Sequence, residues 1–167
     1  MLKITDAGGL YILNCLLNGN TLPSQLRLAL CTAALAFADS GGNDFVTADA
    51  GKLFSTTTSP VDGNGDPSIS EVNGPGYSSR LVTAAENAVS LAAGGIPEAA
   101  WDEQLFTFTS QLNGGATIYG YQIIAVASGD GNPILFEGLI ANPYKPPLLG
   151  GTLKLTPKIQ FGNGTPT

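Results

Sequence analysis

Apolar residues recur along this chain at two spacings, and the change from one to the other divides it. Near the start, Leu10, Leu13, Leu16 and Leu17 follow Thr5-Asp6 at helical intervals. A side-chain oxygen ahead of an apolar stripe caps a helix, and Asn18-Gly19-Asn20 supplies a stop. This predicts a short amphipathic helix in an N-terminal arm, residues 1–20, with Gly8 and Gly9 weakening its first turn. From Gln25 the period shortens to two. Leu26, Leu28 and Leu30 alternate with Arg27 and Ala29, which predicts a first strand over Gln25 to Thr32. Further strands are expected at Tyr77 to Val82, Ala88 to Leu91, Gln104 to Ser110 and Thr117 to Ser128. Gly129-Asp130-Gly131-Asn132-Pro133 then turns the chain into Ile134 to Ile140, a hairpin by its turn chemistry. The last strand is Thr152 to Phe161, with Pro157 marking an edge or a bulge.

Between the first two strands, residues from about Asp39 to Pro75 are irregular and rich in Gly, Pro and Asx. Phe45, Val46, Leu53 and Phe54 predict that this long loop packs down at points. About seven short strands separated by turns predict a mostly-β chain. The expected architecture is a single antiparallel β-sandwich domain over residues 1–167, jelly-roll-like, with the N-terminal helix and one long loop at about 39–75.

Composition sharpens the picture. Only 12% of residues are charged, about half the usual share, while 43% are hydrophobic. A weakly charged surface costs little to desolvate and so is easily covered by other proteins. The net charge is -6 with no basic stripe among seven Lys and Arg, which argues against nucleic acid as a partner. Having no His removes imidazole-based triads and the commonest metal ligand. Cys15 and Cys31 sit in apolar runs and read as buried thiols, with no disulfide required at this size. The stretch from Leu10 to Leu17 is short, broken by Asn14 and lacks a basic cluster, so no export signal is expected from it. No run reaches the ~18–20 apolar residues of a membrane span, and a membrane is not expected as a partner.

Few residues carry candidate chemistry. Asp62-x-Asn64-x-Asp66 begins like a calcium loop, but Pro67 replaces the glycine and Asn73 the bidentate glutamate; an exposed Asx-rich turn is the expectation. Asp102-Glu103 could flank a glycosidic bond, but solvated charge ahead of a strand is their ordinary explanation, and the spacing gives no reason to expect raised pKa values. No Gly-Lys-Ser phosphate loop occurs. Neither a cofactor nor a metal is expected. Trp101 is open to two readings, a stacking platform or interface anchor, and core packing beside Leu105. Asn142-Pro143-Tyr144-Lys145-Pro146-Pro147-Leu148-Leu149 is an extended, pre-ordered strip that loses little entropy on docking. Tyr144, Pro146, Pro147, Leu148 and Leu149 are its candidate interface residues, although the strip could instead close one end of its own sandwich.

The order of strand motifs carries a resemblance. Leu26-Arg27-Leu28-Ala29-Leu30-Cys31-Thr32 is followed by Gly76-Tyr77-Ser78-Ser79-Arg80, Trp101 and Phe106-Thr107-Phe108-Thr109. Ile118-Tyr119-Gly120-Tyr121, Ile134-Leu135-Phe136 and Gly151-Thr152-Leu153-Lys154-Leu155-Thr156-Pro157 complete it. This succession resembles small phage virion structural proteins of the capsid-decoration or tail-fibre type. The resemblance implies a virion location and an assembly role, and it transfers no catalytic residue. The expectation is a non-enzymatic capsid decoration or cement protein, a homo-oligomer bound to other virion proteins. The alternative is a tail or fibre module that binds a host receptor or glycan.

Overall fold

The computed structural model describes residues 2–4, 6–19, 21, 23, 25–32, 53–54, 60–61, 71–83, 87–92, 96–126 and 134–160. Among these residues the fold is mostly β, with antiparallel sheets and one α-helix. Elements run β1 (Leu2–Ile4), α1 (Asp6–Leu17), β2 (Gln25–Cys31), β3 (Leu53–Phe54), β4 (Pro60–Val61), β5 (Arg80–Val82) and β6 (Asn87–Ala92). They continue with β7 (Ile96–Trp101), β8 (Gln104–Phe108), a 3-10 turn (Asn113–Gly115), β9 (Ile118–Val126), β10 (Ile134–Tyr144), β11 (Gly151–Leu155) and β12 (Lys158–Gln160). A five-stranded sheet takes the order β1-β10-β9-β2-β5; β11-β8, β12-β7-β6 and β3-β4 form smaller ladders.

The nine residues of β9 hold the centre, paired with β2 from Gly120 to Val126 on one side and with β10 between Ile118 and Ile124 on the other. Seven of its nine residues are buried, on both faces of the strand, so it reads as a largely apolar run, broken by the buried Gln122, rather than a clean alternation. Leu28 and Leu30 of β2, Tyr121 and Ile123 of β9 and Phe136 of β10 share one core with Phe106 and Phe108 of β8. Trp101 and Ile159 join it from the three-stranded ladder. Thus the β11-β8 ladder shares its core, through Phe106 and Phe108, with the large sheet. Ala29 and Ile124 pack on each other in a separate cluster.

Helix α1 forms where the sequence predicts it but buries the other side. Gly8, Tyr11, Ile12 and Cys15, spaced i, i+3, i+4 and i+7, turn inward. Gly8 is buried, and a Cβ there would lie 2.6 Å from the Leu135 Cα. The glycine that weakens the helix therefore lets it lie on β10. The Tyr11 hydroxyl donates to the Thr21 carbonyl at 3.2 Å and ties the turn after the helix back onto it.

Other differences have physical causes. The predicted last strand is two strands, broken at Thr156-Pro157: β11 pairs with β8, whereas β12 pairs with β7. Pro157, buried at the break, accepts a bond from the Trp101 amide at 3.1 Å. Strand β7, with Pro97, Glu98 and two alanines, has little strand propensity of its own and is held by pairing on both sides. The β9–β10 pairing is present, while its connecting turn at Gly129 to Pro133 lies outside the described residues. So do Phe45, Val46 and the Asp62-x-Asn64-x-Asp66 segment; of the long loop, β3, β4 and residues 71–75 are described.

Candidate interaction surfaces

The Gly-Tyr-x-x-Arg motif proves to be a clasp on the edge of β2. Strand β5 pairs with Leu26 to Leu28, and beyond it the chain at residues 71–77 takes over. The Val72 amide donates to the Leu30 carbonyl at 2.8 Å, and the Leu30 amide donates to the Tyr77 oxygen at 3.0 Å. The Tyr77 hydroxyl in turn donates to Glu71 at 3.1 Å, and its ring stacks on Phe106 and Phe108. Arg27 reaches Glu71 with both terminal nitrogens, at 2.8 and 3.3 Å, and bonds the Ser79 hydroxyl at 3.1 Å. Arg80 donates twice to the Leu105 carbonyl, at 2.7 and 3.1 Å, with its guanidinium over the Phe106 ring. Gly76, at φ +82°, has no room for a side chain, since a Cβ would come within 2.7 Å of the Thr109 amide.

Burial pushes the Glu71 carboxyl above its ordinary value, against the pull of Arg27 and Tyr77. Burial likewise raises Tyr77, and the Glu71 charge beside it adds to that. The chemistry of this cluster is consumed in tying β2 to residues 71–80 and, through Tyr77 and Arg80, to β8. The other paired acids are similarly engaged: Glu103 with Lys154 at 2.8 Å and Glu98 with Lys158 at 3.4 Å. Asp102 and Glu103 are exposed, ahead of β8, Glu103 in its surface pair with Lys154. Among the described residues, no three His, Cys, Asp or Glu side chains come together as metal ligands. Also among them, no helix is long and apolar enough to cross a membrane. Cys15 and Cys31 are not joined in a disulfide, Cys31 being buried and Cys15 half-buried.

The two readings of Trp101 are resolved by its position. It is 5% exposed and belongs to the core, so it offers no surface platform. The proline strip divides. Pro143 and Tyr144 end β10, and the half-buried Tyr144 ring packs 5.9 Å from Phe108. Tyr144 thus packs against the chain's own core, and Pro146 is buried. Pro147 is exposed, and the Gly150 amide donates to its carbonyl at 3.0 Å, closing a tight turn. That turn lifts Leu148 and Leu149 into solvent, Leu149 at 97%. Of the six candidate interface residues, Pro147, Leu148 and Leu149 are thus open to a partner.

Two further exposed apolar features escape the sequence reading. On α1 the four leucines form an outward ridge, with Leu17 at 77%. On β6, Val89 is 78% and Leu91 70% exposed, and Ala88 and Ser90 on the opposite face are exposed too. The β6 strand therefore stands clear on both faces. Beside the Leu148 turn lies an open polar groove of about 590 Å³, lined by Ser110, Gln111, Asn113, Lys145 and Leu148. No protein-family model matches this chain, and comparison with curated proteins finds no relative.

Proposed function

We propose that this chain is a non-enzymatic structural component of a virion, a capsid decoration or cement protein that bridges coat subunits of a phage shell. One observation carries the reading: three separate apolar features, the α1 leucine ridge, β6 and the Leu148-Leu149 turn, stand in water on a chain with few charges. Scattered apolar residues are ordinary on a surface, but contiguous ones on several elements mark protein contacts. A protein touching its neighbours at several places gains affinity by linkage, even where each contact is weak. Burial would supply ~25 cal/mol per Å² before association costs. The net charge of -6 favours the outer side of a shell over the side facing packaged DNA. The succession of strand motifs resembling phage virion proteins supports the same role.

Particles assembled without the chain are expected to burst at lower temperature than complete ones, and adding the purified protein back should restore them. Equal robustness with and without it would reject a cementing role. A tail or fibre module is the second reading, favoured by the groove beside Lys145, whose amides, hydroxyl and ammonium suit a glycan. Purified protein that binds host cells and ignores shells would select that alternative.

A further inference from the structure

We propose that β6 is a self-pairing edge, along which two copies of this chain join their three-stranded ladders across a two-fold axis. The ladder order β12-β7-β6 leaves one side of β6 with no strand beside it among the described residues. Unpaired backbone donors and acceptors along such an edge are a template for another strand. Edges are normally protected by Lys, Pro or a covering loop, yet Asn87-Ala88-Val89-Ser90-Leu91-Ala92 contains neither Lys nor Pro, and its side chains from 88 to 91 are exposed.

A second copy is the occupant that this edge suits. Antiparallel pairing centred on Ser90 sets Val89 against Leu91 of the partner subunit and Leu91 against Val89 of the partner subunit. Directly opposed residues share a face, so four exposed aliphatic side chains meet as one stripe. On the other face, Ser90 meets its own counterpart, and small side chains offer no clash. Charge is the usual obstacle to self-association of a chain carrying -6. It is absent here: β6 carries no charged residue, and the neighbouring Glu98 on β7 is paired with Lys158. Across the joint the two Glu98 positions would be three strand spacings apart, roughly 14 Å at ~4.8 Å each, and the screening length is ~8 Å in physiological salt. A six-residue edge buries less than the ~1,200–2,000 Å² of a stable interface, so the free dimer is weak and gains from the high local concentration on a particle.

This inference deepens the assembly reading by naming one partner, but its test needs only the purified full chain. Sedimentation across a concentration series should show reversible dimers. Val89→Lys or Leu91→Lys should weaken them at least tenfold, with the melting temperature held as the check of folding. Ser90→Cys should cross-link to a covalent dimer under mild oxidation, because opposed Cα atoms at ~4.5–5.5 Å fit a disulfide. Ser78→Cys, also exposed but away from the edge, and the native chain should not. A chain that stays monomeric throughout would overturn the pairing, as would dimers indifferent to both lysine substitutions or equal cross-linking from positions 78 and 90. Shell binding is measured separately on the same variants. A monomer that still binds shells sinks the two-fold joint alone; a dimer that ignores shells sinks the cement reading alone.

Discussion

Glu71 shows how one side chain can hold an edge and strain against its place at once. It receives both Arg27 nitrogens and the Tyr77 hydroxyl, with 8% of its side chain exposed. Removing it strands a guanidinium that is itself largely covered, so Glu71→Ala should cost about 2–4 kcal/mol, read from denaturant melts. The pH response has a definite sign. A carboxyl whose folded value is raised binds its proton more tightly folded than unfolded. Its contribution is therefore full below the unfolded value of about 4.3 and is lost as pH rises through the higher folded one. The melting temperature of the native chain minus that of Glu71→Gln should fall across that window. A difference that grows with pH would show that the ion pair outweighs burial. At Gly76 the constraint is steric: Gly76→Ala at positive φ, facing the Thr109 backbone, should cost about 1–3 kcal/mol.

At the scale of elements, α1 separates stability from binding. Its inner face rests on Tyr11, so Tyr11→Ala should cost about 3–5 kcal/mol, as for other large aromatic truncations. On the outer face, Leu13→Gln and Leu17→Gln should leave stability within about 0.5 kcal/mol while reducing retention on shells. The helix itself was legible in its caps and spacing. Its buried face was not, because two apolar stripes compete, and the four leucines outweigh Tyr11, Ile12 and Cys15 in any count by hydropathy. What decides between them is the close approach that Gly8 permits, a property of the neighbour β10 rather than of the helix. Strands β2, β8 and β9 were readable because burial on the large sheet imposes their apolar pattern. Strand β7 was hidden because its pairing comes from β6 and β12, distant in sequence or poor in signal. The proline strip was half legible: its stiffness could be read, but Tyr144 packing on Phe108 depends on a ring contributed from another strand.

Over the whole molecule, stability and contact are assigned to different places. Among the described residues, the large sheet and the β11-β8 ladder concentrate the buried aromatic and branched side chains, while eight of the ten large exposed hydrophobics lie on the helix, on β6 and at the turn after Pro147, Leu81 and Leu105 being the other two. Leu148→Ser together with Leu149→Ser should therefore leave the melting temperature nearly unchanged and lower occupancy on particles, measured by co-sedimentation. A central strand gripped along both margins has a consequence for isotope exchange. Amide protons of β9 should be the last to be replaced by deuterium, because releasing them requires parting it from β2 or β10. Those on the free margin of β6 should exchange among the first. A particle that slowed exchange at β6, with β9 as its internal clock, would reveal occupied seams without any image of the shell.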